Sequence, residues 1–342
     1  AKDYMGFFYD EYLEKPCFDE KFDKAVVVDV LNRFLEKFDI ADDAEITMEV
    51  NPATVDKGLL KTYRKEGVNR LSIGMQSSSN NELKALSRIH DFEDFEDCFD
   101  DARAAKFDNI NVDIMYGIPE QTLASLRMTV ETVCEFRPEH ISLYGLQIEE
   151  NTPFGEKAFA LQLPDEDTEF EMYSSAIEIL KANGYEQYEI SNFARRGKFS
   201  RHNMKYWTGG EYLGFGPSAA SDFAGSRFKL VSDLRTYING IKVGGDVMEE
   251  VEEIPLRERA AEYIMTRLRT TAGLDPQEYE KLFLLPFQPL QEILELNEGY
   301  NLTQQNRNGS WRLTPRGFMV STAIISDLQL AQEHSKPITR LW

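Results

Sequence analysis

A chain of 342 residues, with 42% hydrophobic and 12% aromatic residues, can bury a large core and is not disordered. Its formal net charge of −21 argues against nucleic acid as a partner, because phosphate contacts need a basic surface. No apolar run reaches the roughly 18 residues of a membrane span, and the acidic start AKDYMGFFYDEYLEK lacks the basic flank of a secretory signal. Three well-separated cysteines do not form a disulfide framework and favour a reducing cytoplasm.

Helical and strand patterns alternate from about residue 21 to 195. The first helix is predicted at residues 23–38, and a later one stops at Gly67, a typical helix-ending residue. Strands separated by helices predict an α/β fold with a parallel sheet. No strand is followed by GxGxxG and there is no GxxxxGKS/T loop, so a barrel is favoured over a nucleotide-binding doubly wound sheet. The predicted strands are EITMEV (45–50), RLSIGMQ (70–76), NINVDIMYG (109–117), HISLYGLQI (140–148) and YEQYEISNF (185–193).

The pattern changes after Ile254. Three helices are predicted at 256–270, 275–283 and 288–296, followed by a hairpin with Asn308-Gly309 at its turn. This order is typical of a winged-helix-like module, and its few cations favour a lid or docking role over DNA binding. The sequence therefore predicts a barrel at 1–195, a connecting segment at 196–250 that fits neither pattern, and an accessory domain at 251–342.

Four successive predicted strands carry a carboxylate or an amide at or near the same end: Glu49, Gln76, Asp113 and Gln147. In a parallel barrel the catalytic groups gather at the C-terminal ends of the strands, so these side chains predict a shared ligand site. Asp113 is the most informative, because a carboxylate within an apolar run is costly unless it is bound. Each residue, taken alone, is equally well explained as a cap of the following loop or helix.

Arg88, at the end of LKALSRIH, is a cation near the same end of the strands. It is either a solvated charge at a helix C-terminus or a planar clamp for a carboxylate. Two acids, two amides and one arginine suit a zwitterionic, hydroxyl-rich small ligand, such as an amino acid joined to a ribose.

Seven blocks of the sequence carry a family resemblance: EITMEVNP, NRLSIGMQS, LSRIH, NVDIMYGIPEQT, ISLYGLQIEENTP, YEQYEISNFAR and RHNMKYWTGGEYLGFGPSA. In this order they resemble the HemW-type haem chaperones, which belong with the oxygen-independent coproporphyrinogen III oxidases in the radical S-adenosylmethionine (SAM) superfamily. The resemblance runs from about residue 40 to 220 and continues more weakly to about 330. It implies a partial (β/α)6 TIM-like barrel with a C-terminal accessory domain.

The resemblance implies S-adenosylmethionine as a cofactor and gives each candidate residue a role. Glu49 would bind the amino group of the methionine moiety, and Arg88 would hold its carboxylate. Gln76 and Asp113 would take the ribose hydroxyls, and Gln147 would line the adenosine side.

The sequence departs from the family at the [4Fe–4S] cluster. The family binds this cluster through CxxxCxxC, and no such motif occurs here; the family's GGGTP segment is also absent. Cys17 stands alone, and Cys98 and Cys134 fall within predicted helices as core residues, so no metal ligand is predicted. Residues 1–22 contain no convincing strand. We therefore expect pieces of the N-terminal region to be missing from this chain; the alternative is a degenerate, non-radical relative.

The segment SRHNMKYWTGGEYLGFG contains an HNxxYW motif formed by His202, Asn203, Tyr206 and Trp207. Neutral imidazole is a good axial ligand of haem iron, and the two aromatic rings can stack on a macrocycle. The same residues can instead pack a domain junction, which spacing alone favours. The resemblance implies a haem-related role, because the chaperone branch carries this motif.

Three functions follow from this reading. The first is a cytoplasmic HemW-like protein that binds haem and delivers it to apo-proteins of respiratory metabolism. The second is an oxygen-independent coproporphyrinogen III oxidase, whose anionic porphyrinogen substrate needs a basic pocket. The third is a non-catalytic binding module that has lost the cluster. Cations available to the second function are Arg195, Arg196, Lys198 and Arg201.

Overall fold

The computed structural model describes residues 36–149 and 161–338, together with 28–29, 32–33 and 154–155. The chain divides into two compact units, Ala1–Phe199 and Ser200–Trp342. Of the helix predicted at 23–38, the described residues up to residue 37 are helical, and the rest lies outside the described residues. Cys17 lies outside them as well.

The first unit is built on one six-stranded sheet with the spatial order β1-β2-β3-β4-β6-β5. The first four strands run parallel, as the sequence predicts, and β6 is antiparallel to both β4 and β5. The sheet is open and forms part of a barrel. Its strands are β1 (Thr47–Val50), β2 (Arg70–Gln76), β3 (Ile110–Tyr116), β4 (His140–Gly145), β5 (Glu186–Gln187) and β6 (Asn192–Ala194).

The prediction of a single strand at 185–193 is wrong, because the chain reverses direction within this segment. The Glu189 carboxylate accepts hydrogen bonds from the Ser191 backbone N–H, at 3.1 Å, and from the Asn192 amide. These local bonds close a turn between β5 and β6, so a short antiparallel hairpin replaces a further parallel strand.

In the described part of the first unit, five α-helices follow the strands or lie between them. Asp56 and Thr122 begin two of them by accepting hydrogen bonds from backbone N–H groups, and Gly67 follows the end of the first with a φ of 100°. Right-handed crossovers place successive helices on the same side of a sequentially ordered parallel sheet. The helices are α1 (Lys57–Lys65), α2 (Asn80–Ala85), α3 (Phe92–Ala104), α4 (Leu123–Phe136) and α5 (Glu166–Ala182).

The two faces of this sheet differ in chemistry. One face carries the fully buried side chains of Leu71 and Ile73 on β2 and of Val112 and Ile114 on β3. The opposite face carries polar side chains from the first four strands, which make up what we call the polar face: Glu49, Arg70, Ser72, Asn111, Asp113, His140 and Ser142. The apolar face therefore supplies the core of the unit, and the polar face forms the inner wall of the partial barrel.

The second unit contains the predicted helices and hairpin, and a three-stranded sheet that the sequence analysis did not predict. That sheet packs around Leu230, Val231 and Val247, and its edge strand β9 is exposed at all six residues. The elements are α6 (Arg201–Trp207), β7 (Ala220–Phe223), β8 (Ser226–Leu230), α7 (Leu234–Val243), β9 (Met248–Glu253), α8 (Leu256–Leu268), α9 (Pro276–Phe283), α10 (Gln288–Glu298), β10 (Thr303–Gln305), β11 (Trp311–Leu313), α11 (Pro315–Met319) and α12 (Ser321–His334). Among the described residues, no helix combines the length and the hydrophobicity needed to cross a bilayer.

Two glycines of the second unit allow a matched test of its packing. Both have positive φ, 72° at Gly273 and 84° at Gly225, but a Cβ on Gly273 would collide with the Trp311 carbonyl, whereas nothing lies within 4 Å of one on Gly225. We expect Gly225→Ala to lower the free energy of unfolding by about 1 kcal/mol through backbone strain. Gly273→Ala should lower it by about 2 kcal/mol more, since the clash adds to the same strain. Urea unfolding followed by circular dichroism measures both, and equal losses would contradict the close approach.

Candidate functional site

The polar face of the first unit is held together by the Asp113 carboxylate. Strand pairing sets Asp113 beside Gly74 on β2 and Ser142 on β4. Its Oδ1 accepts a hydrogen bond from Asn111 Nδ2 at 2.8 Å, and its Oδ2 accepts one from Ser72 Oγ at 3.0 Å. Burial raises the pKa of Asp113, and bonds from Ser142, Asn111 and Ser72 oppose that rise.

His140 fixes the orientation of the Asn111 amide. Because Asn111 Nδ2 donates to both Ser72 and Asp113, its Oδ1 is left to accept, and His140 Nδ1 lies 2.5 Å from that oxygen. The imidazole proton therefore sits on Nδ1, and Nε2 accepts from the Tyr188 hydroxyl at 2.7 Å. Burial, and after it the charge of Arg70, holds the pKa of His140 well below 6.5, so this ring is neutral.

The Gln76 amide reaches the polar face through a break in the regular pairing of β2. The register of β2 and β3 shifts between Gly74 and Gln76, and Gln76 takes a φ of 67°. Its Nε2 lies 2.8 Å from where a Cβ on Gly74 would sit, so the missing side chain makes room for the amide. Since Gly74 pairs with Asp113, the Gln76 amide and the Asp113 carboxylate are neighbours. The Gln76 side chain is buried and makes no hydrogen bond within the described part of the chain.

The other three SAM candidates lie at different distances from this pair. Glu49 is exposed and on the polar face, and it pairs with Ser72, one row toward the strand N-termini from Asp113. Arg88 is half-buried in the loop after α2. The pKa of His90 is lowered mainly by burial and to a smaller extent by the charge of Arg88. His90 Nε2 lies 3.3 Å from the Met75 carbonyl oxygen near the end of β2, so Arg88 is near that end of the strand as well. Gln147 is exposed in the loop beyond β4.

A second buried network ties the loops after β2 and β3 to each other. The Glu82 carboxylate, in α2, accepts from Ser77 Oγ at 2.6 Å and from Gln121 Nε2 at 3.0 Å. Gln121 Nε2 also donates to the Met115 carbonyl at 3.2 Å. This network anchors the C-terminal rim of the sheet, which carries Gln76.

The described cysteines do not fit a [4Fe–4S] cluster. Cys98 and Cys134 are buried, and burial raises the pKa of their thiols to about 12 and about 11. Cluster ligands are thiolates, so neither side chain is suited to the role. Within the described ranges no group of three or more histidine, cysteine or acidic side chains could hold a metal ion.

The HNxxYW residues lie in the second unit, on α6, which buries none of its side chains. His202 and Tyr206 share one face of this helix, with Tyr206 Oη 3.1 Å from His202 Nε2 and ring centroids 5.0 Å apart. His202 is exposed, whereas Asn203 and Trp207 are half-buried. The arrangement presents an accessible imidazole beside an aromatic ring.

Sequence reasoning missed Asn111, His140 and Tyr188, although part of their signal was present. A parallel strand that is buried on both faces is usually apolar throughout. In β3, however, Asn111 and Asp113 alternate with apolar residues, and in β4 His140 and Ser142 do the same. That alternation identifies a polar face. Tyr188 carries no comparable signal, because it meets His140 from the hairpin that the sequence did not predict.

The chain matches two family profiles, that of the radical SAM superfamily at residues 16–133 and that of the HemN C-terminal domain at residues 254–320. Its fold is similar to that of coproporphyrinogen III oxidase (HemN) from Escherichia coli, with a TM-score of 0.75 over 91% of this chain and 75% of that one, at 21% identity. These findings define a radical SAM protein with a HemN-type C-terminal domain, and the predicted fold class is confirmed.

Curated relatives narrow the class. "Heme chaperone HemW" from Bacillus subtilis (strain 168) is 34% identical over 259 residues, which span 75% of this chain and 68% of the relative. "Heme chaperone HemW" from Lactococcus lactis subsp. lactis (strain IL1403) is 32% identical over 271 residues, 78% of this chain and 71% of the relative. The chain belongs to the HemW family, as the seven sequence blocks indicated.

The raised pKa of Asp113 predicts a pH dependence of stability. Between the ordinary carboxyl pKa and the raised one, the folded state binds more protons than the unfolded state, so this group's contribution to stability falls as pH rises. The Asp113→Asn side chain does not titrate, so the variant lacks this pH-dependent loss of stability. The unfolding free energy of the variant minus that of the wild type should therefore increase from pH 4 upward. Urea unfolding at pH 4–8 measures it, with Asp108→Asn, an exposed acid before β3, as the control. A difference that is flat or falls with pH would show that burial does not raise this pKa.

Proposed function

We propose that this chain is a HemW-like haem chaperone that binds SAM on the polar face of its first unit and haem at α6 of its second. The observation that carries the SAM part is the proximity of the Gln76 amide to Asp113 through Gly74. In the described part of the chain this amide makes no hydrogen bond, and it lies beside a carboxylate that can accept further ones, so a ribose diol can bond to both.

The remaining SAM contacts follow from charge. Glu49 would pair with the ammonium group of the methionine moiety, and the Arg88 fork would take its carboxylate. Asn111 and Ser72 hold the Asp113 oxygens in place before a ligand arrives, which reduces the entropy lost on binding. Gln147 would contribute through its exposed loop on the adenosine side.

SAM bound beside a [4Fe–4S] cluster supplies a deoxyadenosyl radical in the superfamily. The described residues do not fit that cluster, so no radical step is derived for this chain. Its own residues bind and orient the cofactor: the acid pairs with the ammonium, the arginine with the carboxylate, and the Gln76–Asp113 pair with the sugar.

The haem part of the proposal is supported by exposed apolar surface next to the imidazole. Tyr206, Leu213 and Phe215 are 39%, 45% and 55% exposed within ten residues of the chain. A flat macrocycle can cover such surface, while His202 offers an imidazole nitrogen to the iron. Asn203 and Trp207 would flank the ring. Delivery of the haem to apo-proteins, in the reducing cytoplasm that the sparse cysteines favour, completes the chaperone role.

The oxidase is not the function we propose. Two of the four cations available to a porphyrinogen already bind backbone carbonyls: Arg195 Nε donates to Pro138 and Lys198 Nζ to Asp108. The Arg195 guanidinium also stacks on Tyr185, 4.9 Å from the ring centroid. These contacts occupy part of the basic surface that an anionic substrate needs.

Arg88→Ala tests the SAM site. Arg88 makes no hydrogen bond through its side chain within the described ranges, so its loss should leave the melting temperature unchanged. Losing a charge-assisted pair should weaken SAM binding by about tenfold to a hundredfold, as measured by isothermal titration calorimetry. Lys84→Ala, an exposed cation in α2, is the matched control and should bind SAM like the wild type. Unchanged affinity in Arg88→Ala would remove Arg88 from the site.

His202→Ala tests the haem site. Haem titration of the wild type should give a sharpened Soret band, and the variant should bind at least about tenfold more weakly, since it loses an axial ligand. His334→Ala, an exposed histidine at the end of α12, is the control for the loss of an imidazole. If both variants bind haem like the wild type, another side chain holds the iron.

A further inference from the structure

Arg70 is the most unusual charge in the first unit. It opens β2 on the polar face and is only 4% exposed, yet its guanidinium makes neither a hydrogen bond nor an ion pair with any residue that the structure describes. Nε is fully buried and unbonded. A buried cation without a partner is costly, and arginine is almost never buried unless it is paired.

Other arginines of this chain follow that rule although they are more exposed. Arg103 pairs with Glu139 at 3.0 Å, Arg227 with Glu262 at 2.7 Å, and Arg267 with Glu278 at 2.9 Å. Their side chains are 30%, 34% and 16% exposed. The chain therefore places acids in direct contact with arginines that need them less, whereas in its described part Arg70 has no acid at ion-pair distance and only a longer-range attraction to Asp113.

A second unbonded group lies beside Arg70. Thr47 on β1 is its direct partner in the sheet, and the Thr47 hydroxyl is buried without a hydrogen-bond partner among the described residues. Strand geometry places Arg70 about 20 Å along β2 from Gln76, so these two groups lie at the opposite end of β2 from the Gln76 amide, with Glu49 two residues along β1 from Thr47. A guanidinium and a hydroxyl, neither bonded to a described residue, thus belong to neighbouring positions of the same sheet face.

We propose that Arg70 and Thr47 form a binding subsite for the carboxylate of a small ligand, at the floor of the polar face. A carboxylate matches the planar fork of arginine through two parallel hydrogen bonds. A dianionic phosphate fits less well, because the subsite offers a single cation and the polar face also carries Glu49 and Asp113. The subsite is distinct from the haem position, and on β2 it lies at the other end of the strand from the Gln76 amide.

Thermal unfolding of the full chain at pH 7 tests the subsite, with acetate as the probe against chloride at equal ionic strength. Acetate should raise the melting temperature of the wild type by several degrees and saturate, whereas chloride and phosphate should have smaller effects. Arg70→Met keeps the volume and removes the charge. In chloride it should melt above the wild type, because an unpaired buried charge is gone, and acetate should no longer stabilise it.

Two further variants locate the effect. Thr47→Val should reduce the acetate response while keeping the fold. Arg88→Met should retain the full response, which separates this subsite from carboxylate binding at the SAM position. The proposal is overturned if acetate and chloride curves of the wild type coincide, if Arg70→Met responds to acetate like the wild type, or if it melts lower in chloride. Should Arg70→Met fail to fold, the wild-type comparison and Thr47→Val decide the question.

Discussion

The Asn111 amide can satisfy its neighbours in one orientation only, and the polar face depends on this constraint. Its nitrogen donates to Ser72 and Asp113, and its oxygen lies between His140 and Ser142. Side chains from three neighbouring strands are thereby joined in one network inside the partial barrel. A neutral His140, backed by Tyr188, keeps that oxygen accepting. Buried polar networks are favourable only when their members are satisfied, and in this one the Asp113 carboxylate is still able to accept further hydrogen bonds.

The same alternation that creates the network also creates the fold. Even-numbered residues of β2 face the inner wall, and odd-numbered residues Leu71, Ile73 and Met75 are fully buried on the other face. Sliding β2 by one residue would send Arg70 and Ser72 into the apolar core, so the register is strongly specified. Gln76 then needs a local shift of pairing and a positive φ to place its amide beside Asp113. Burial of the apolar residues thus fixes the register of β2, and the local irregularity at its C-terminal end places the Gln76 amide where we propose that the ligand binds.

The hydrophobic pattern of the sequence predicted most of the helices and strands whose bounds depend on neighbouring residues in the chain. The strand RLSIGMQ was predicted with its observed bounds, and the helices of the C-terminal region were found close to their predicted positions. The hairpin at Glu186–Ala194 was missed because side-chain bonds of Glu189 set its turn. The β7-β8-β9 sheet was missed because β9 is MEEVEE, which has little strand character of its own. At the site, Asp113 was evident from a charge in an apolar run, but the role of His140 needs a contact across 29 residues that no spacing reveals.

The exposed edge of the second unit's sheet has a consequence for how copies of this protein meet. Strand β9 ends that sheet, and four of its six residues are glutamates. A free sheet edge is a template for strand addition, which leads to aggregation. A second copy adding β9 to β9 would bring rows of like charge within about 5 Å of each other. The acidity of this strand thus disfavours strand addition at an edge that no other described strand covers.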